Sequence, residues 1–112
     1  MRMLVIGGTQ LSGPFLVRQL LARGHRVTVY NRGNHPIPSG ANHIAAPREA
    51  GPAEDRYHLA AHAEAFRRVR PDVVVHMIAF TRGDAESFVR VFKGLAGRAV
   101  VVSSSDVYLV MG

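Results

Sequence analysis

With 112 residues and a hydrophobic share of 47%, the chain is sized for one domain with a real core and excludes a second. It has no cysteine, so disulfides, thiolate metal sites and cysteine nucleophiles are excluded, and no apolar run approaches the ~18 residues of a membrane span. The net charge of +6 favours anionic partners. Lys93 is the only lysine, and the arginines are scattered. Their densest group, Arg67, Arg68 and Arg70, reads as the solvated C-terminal end of a helix, where cations complement the dipole, and not as a nucleic-acid surface. Met1-Arg2-Met3 leads at once into a short strand without the pattern of a signal peptide, so the expected location is cytoplasmic.

In chain order, residues 3–6 read as a first buried strand. Leu16, Leu20 and Leu21 recur at helical spacing from Gly13, with Pro14 suited to the first turn and Gly24 to the stop. Residues 26–30 form a second strand, which makes a parallel crossover unit. Residues 31–52 are rich in Gly, Pro, Asn and His, with only 42–46 suited to a weak third strand. A helix is expected over 58–69, with Leu59, Ala63 and Phe66 on one face and Pro71 beyond its end. Residues 72–79 form the clearest central strand, apolar on both faces. Asp84 is expected to cap a helix that runs to about Leu95 and turns Phe88, Val91, Phe92 and Leu95 inward. Residues 99–103 form the fifth and last strand.

This alternation predicts an α/β three-layer sandwich of Rossmann type, with a parallel sheet in the order 3-2-1-4-5. Ligands in such sheets sit outside the carboxyl ends of the strands, near the switch point between the first and fourth. The glycine-bearing and polar segments fall there: 7–13, 31–33, 80–82 and 103–106. In the first of them a strand passes through Gly7 and Gly8 into a helix at Gly13, the order of parts that cradles a pyrophosphate. Gln10 occupies the place of the usual middle glycine. His58 and His62 have helical metal-like spacing but lack the zincin glutamate and read as a solvated helix face. His76, inside an apolar strand, reads as a core histidine, and no metal site is expected.

Gly7-Gly8-Thr9-x-x-x-Gly13, Asn31-Arg32-Gly33, the 72–76 strand and Ser103-Ser104-x-x-Val107-Tyr108 together resemble the N-terminal half of the NAD-dependent epimerase/dehydratase family, in the extended short-chain dehydrogenase/reductase superfamily. The resemblance covers essentially all 112 residues, and Ser-Ser-x-x-Val-Tyr is its most specific part. It implies that Ser104 is the catalytic hydroxyl on the substrate oxygen. It also implies a cofactor site made of Gly7, Gly8, Thr9, Gln10, Leu11, Gly13, Asn31, Arg32, Ala79, Phe80 and Ser103. The family's Tyr-x-x-x-Lys pair is absent from these residues, and Ala46-Pro47-Arg48 stands where relatives often carry an acid near the adenine.

The expected function is therefore the NAD(P)-binding portion of an epimerase/dehydratase-type oxidoreductase, a partial domain acting within a longer chain on a nucleotide sugar or similar hydroxyl-bearing substrate. The alternative is a non-catalytic nucleotide-binding module, redox-sensing or RNA-associated. NADP is preferred over NAD, because the second strand ends in Tyr30-Asn31-Arg32 with a guanidinium and no carboxylate. The fifth strand is expected to leave an open edge, with Val100, Val101 and Val102 only partly shielded. Self-association follows as an expectation.

Overall fold

The computed structural model describes residues 1–7, 13–33, 36–77, 82–102 and 107–111. Five parallel strands form as the crossover pattern requires: β1 (Arg2–Ile6), β2 (Arg26–Asn31), β3 (Asn42–Ala45), β4 (Val73–His76) and β5 (Arg98–Val102). They lie in the order β3-β2-β1-β4-β5. The helices α1 (Gly13–Ala22), α2 (Ala63–Val69) and α3 (Arg82–Phe92) connect them, with 3-10 turns at Ala53–Asp55 and Ala60–His62.

Alternation along each strand sorts the core into two faces. Leu4, Ile6, Tyr30, Val74, Ala99 and Val101 pack with Phe66 of α2 and with Phe88 and Phe92 of α3. Met3, Val5, Val27, Val29 and Val75 pack with Val17 of α1 on the other side. β1 is fully enclosed from Leu4 to Ile6, which fits a central strand covered on both faces. Each side chain buried in this way contributes about 1.5–3 kcal/mol relative to leaving it in water.

The structure departs from the sequence expectation at four places. First, β5 is not the last strand: Val107–Met111 forms β6, which pairs antiparallel with β5 in the register Val102↔Val107 and Val101↔Tyr108. A parallel edge presents a row of unpaired N–H and C=O groups, and a β-branched and aromatic run just downstream is well suited to take them. Second, Val101 is buried under the α2 and α3 layer, whereas Val100 and Val102 point to the α1 face and stay partly exposed. Third, α2 begins only at Ala63, because Asp55 draws the amides of Leu59 and Ala60 to its carboxylate (2.8 and 2.9 Å) and His58 takes a left-handed backbone, φ 56°. His58 and His62 therefore share no helix face. His58 Nε2 donates to the Glu49 carbonyl (2.7 Å), and His62 Nδ1 lies 2.9 Å from the His58 carbonyl. Fourth, Asp84 lies inside the first turn of α3 instead of capping it, and its carboxylate receives Arg56.

Gly51 makes the approach to this loop possible. A Cβ there would collide with the Asp55 carbonyl oxygen, a contact no side chain tolerates. Among the described residues no helix is long and apolar enough to cross a membrane.

Candidate functional site

The parallel register brings the carboxyl ends of the central strands level, since Ile6 pairs with Tyr30 on one side and His76 on the other, and His76 pairs with Val101. At this rim Gly7 donates its N–H to the Tyr30 carbonyl (2.8 Å), and Met77 donates to the Ile6 carbonyl (2.9 Å). Gly7 leaves β1 at φ 80°, in the left-handed region where a side chain is strained. The chain re-enters the description as α1 at Gly13.

Asn31 closes β2 and is buried, with 7% of its surface exposed. Its Oδ1 accepts the Gly33 N–H (2.8 Å) and lies 2.6 Å from His43 Nε2, while its backbone carbonyl accepts the Ala46 N–H (2.6 Å). Its Nδ2 is a buried donor with no hydrogen-bond partner among the described residues. Arg32 beside it is exposed and has no acidic partner among the described residues.

Over the same rim lies the loop at 55–58. Arg56 pairs through Nη2 with the buried Asp84 carboxylate, donates to Tyr57 Oη (2.8 Å) and rests its guanidinium 4.9 Å from the Tyr57 ring centre. Tyr57 and Phe88 each meet the His76 ring edge-on, with centroids 5.5 and 5.0 Å away. Burial pushes His76 down to about 4; the Asp84 charge opposes this and the Arg56 charge adds to it. His76 is thus a neutral imidazole at physiological pH, in keeping with a core residue. Burial raises the phenols of Tyr30 and Tyr57, so both remain protonated. The Tyr30 hydroxyl donates to the Tyr57 carbonyl (2.8 Å) and ties the loop to β2.

Of the residues the sequence singles out, Gly7, Asn31 and Arg32 stand together at the rim, and Gly13 starts α1. Gly8, Thr9, Gln10, Leu11, Ala79, Phe80, Ser103 and Ser104 lie outside the described residues. Sequence reasoning missed His43, Arg56, Tyr57 and Asp84. For Arg56 and Tyr57 the one signal was the Asp55-Arg56-Tyr57 run, which sets a charged pair beside an aromatic ring. A cleft of about 310 Å³ lined by Arg67, Arg70, Val91, Lys93, Gly94 and Leu95 lies at the opposite end of the sheet. Its cations sit where α2 and α3 terminate and complement the helix carbonyls there.

The model of the NAD dependent epimerase/dehydratase family matches residues 3–108. The chain belongs to that family. Solved structures agree in fold. UDP-glucose 4-epimerase of Thermus thermophilus, in complex with NAD, has a TM-score of 0.64 at 23% identity over 85% of this chain and 34% of that one. The Bordetella bronchiseptica enzyme WbmG, in complex with NAD and UDP, gives 0.61 at 20% identity over 85% and 34%. UDP-glucose 4-epimerase of Thermotoga maritima, with UDP-glucose, gives 0.62 at 17% identity over 85% and 35%. The present chain therefore spans about a third of the length of these proteins. A comparison with curated proteins gave no match.

Proposed function

We propose that this chain is the NAD(P)-binding portion of an epimerase/dehydratase-type oxidoreductase of the cytoplasm. Its substrate is a nucleotide sugar or similar hydroxyl-bearing compound, and it does not turn over alone. The observation that carries the reading is the level rim of strand ends: Gly7 bends away from β1 at positive φ, beside a buried Asn31 amide whose Nδ2 has no partner among the described residues. A dinucleotide fits these groups. Gly7 to Gly13 would take the pyrophosphate at the start of α1, and Asn31 with Arg32 would face the adenosine ribose.

The nicotinamide, when bound, supplies or accepts the hydride. This chain's own part is to bind and orient: Ser104, two residues beyond β5, would hydrogen-bond the reacting substrate oxygen. A tyrosine paired with lysine is needed for the proton, and general acid–base assistance is typically worth about 10²–10⁴-fold. The second reading, a non-catalytic nucleotide-binding module, rests on the basic net charge and on the lack of a Tyr-x-x-x-Lys within these residues. The two readings share the site and differ only in hydride transfer.

Calorimetric titration is expected to show saturable binding of both cofactors, with NADP the tighter. Arg32→Ala should weaken NADP by about tenfold and NAD far less, since a charge-assisted contact to a 2′-phosphate exists only in the former. Equal losses would remove the assignment of Arg32, and a folded sample that binds neither cofactor would overturn the dinucleotide reading. The partly exposed Val100 and Val102 face further leads us to expect self-association, read by sedimentation.

A further inference from the structure

α2 and α3 both end at the amino edge of the sheet, the pole opposite the strand-end rim, because α2 leads into β4 and α3 into β5. Between the two ends lies the cleft of about 310 Å³. Cations line it from two separate elements, Arg67 and Arg70 at the end of α2 and Lys93 at the end of α3, while the part-buried Val91 and Leu95 supply an apolar wall. The described residues that line it include no acid. The carboxylates nearest to Arg70 in sequence face other groups: Glu64 lies 3.3 Å from Arg67, and Asp72 accepts the Arg2 backbone N–H (2.8 Å). Arg70 and Lys93 have no acidic partner among the described residues.

This is more charge than the helix ends require. A helix end carries about −0.5 of an elementary charge, so the two ends together balance about one of the two cations that remain after the Arg67–Glu64 pair. The other is left over, in a concavity that concentrates its field. Backbone conformation points the same way. After α3 the chain turns at Gly94 with φ 80°, whereas α2 is closed by Arg70 in the same left-handed region, φ 52°. Arginine at that position bears a backbone cost that glycine would not, and what it adds is the guanidinium.

We propose that this cleft is a second anion site, separate from the strand-end rim, and that it takes a diphosphate group. Arg70 offers forked N–H donors to the oxygens of one phosphoryl group, and Lys93 offers a point charge to the next. Cations that arrive from two helices suit a ligand with two charged centres, and a cleft of this volume, at the small end of ligand pockets, suits a compact one.

The test is titration of the isotope-labelled chain with inorganic pyrophosphate and with ADP, followed by NMR. The amides of Gly94 and Leu95 report on the cleft and that of Gly13 on the rim, so binding at the two ends of the sheet is read separately. Saturable shifts at Gly94 and Leu95 are expected, with affinity about tenfold weaker in Arg70→Gly and in Lys93→Gln. Arg70→Gly should melt no lower than the wild type, because glycine relieves the positive φ, and that separates lost binding from lost fold. Arg90→Gln, which removes the same charge from an exposed position outside the cleft, should bind as the wild type does. Equal affinity for the two probes identifies an inorganic polyanion, and tighter ADP binding identifies a nucleotide whose base rests on Val91 and Leu95; both uphold the site. Shifts confined to Gly13, unchanged binding by Arg70→Gly, or a loss in Arg90→Gln equal to that in Arg70→Gly overturns it.

Discussion

Arg56→Ala is expected to lower the free energy of unfolding by about 2–3 kcal/mol, without any change to a strand or helix. The physical reason is the asymmetry of the pair: the Asp84 side chain is 2% exposed and the Arg56 side chain 39%. Removing the guanidinium leaves a carboxylate fixed in the first turn of α3 with its cationic neighbour gone, and the desolvation already incurred is no longer offset. Asp84→Asn should cost less, because the half-exposed Arg56 can turn to water and a neutral amide needs no counter-charge. Arg56→Lys should recover only part of the loss, since a lysine cannot lie flat on the Tyr57 ring while also reaching Asp84 and Tyr57 Oη. Urea denaturation of the three variants decides the matter. Equal costs for Arg56→Ala and Asp84→Asn would show that burial of the carboxylate does not govern the pair.

Acid should destabilise the domain through His76. Its pKa is held at about 4, against about 6.5 in an unfolded chain, so between those values the unfolded state binds more protons. The contribution is complete above pH 6.5 and is lost progressively as the pH falls toward 4. The expected loss is about 2 kcal/mol at pH 5 and about 3 kcal/mol in full. Thermal melts at about pH 7 and about pH 5 measure it. In His76→Gln the difference between the two should shrink by that amount; an unchanged pH dependence would show that another group carries the acid sensitivity.

The strand order and both faces of the core were legible because they rest on local periodicity. Val73, Val74, Val75 and Met77 mark a central strand, and Leu16, Val17, Leu20 and Leu21 mark the inward side of α1. That Gly7, Asn31 and Arg32 share one rim was legible because topology alone places strand ends together. The 46–62 connection was not, since its course depends on contacts between residues far apart in sequence. Ser87 Oγ donates to Asp55 from α3 (3.0 Å), and Tyr30 reaches across from β2 to the Tyr57 carbonyl. His43 was invisible for a related reason, because its partner becomes apparent only once the β2–β3 register is known. β6 was not legible because Val107 and Tyr108 belong to the 103–108 motif and become a strand only through their pairing with Val102 and Val101 of β5.

β6 differs from its neighbours in how its partners are connected. Val102 and Val107 are five positions apart along the chain, whereas Met3 and Val73 in the β1–β4 pair are seventy apart. Closing the short connection costs little entropy and closing the long one costs more, so the β5–β6 pair is able to form and open as a local unit. Amide hydrogen exchange should then separate the sheet into two classes. Protons of β6 exchange through fraying of that outer strand, whereas those of β1 and β4 await global unfolding. A cofactor bound at the rim should therefore slow exchange in β1 and β4 and leave β6 nearly unaltered.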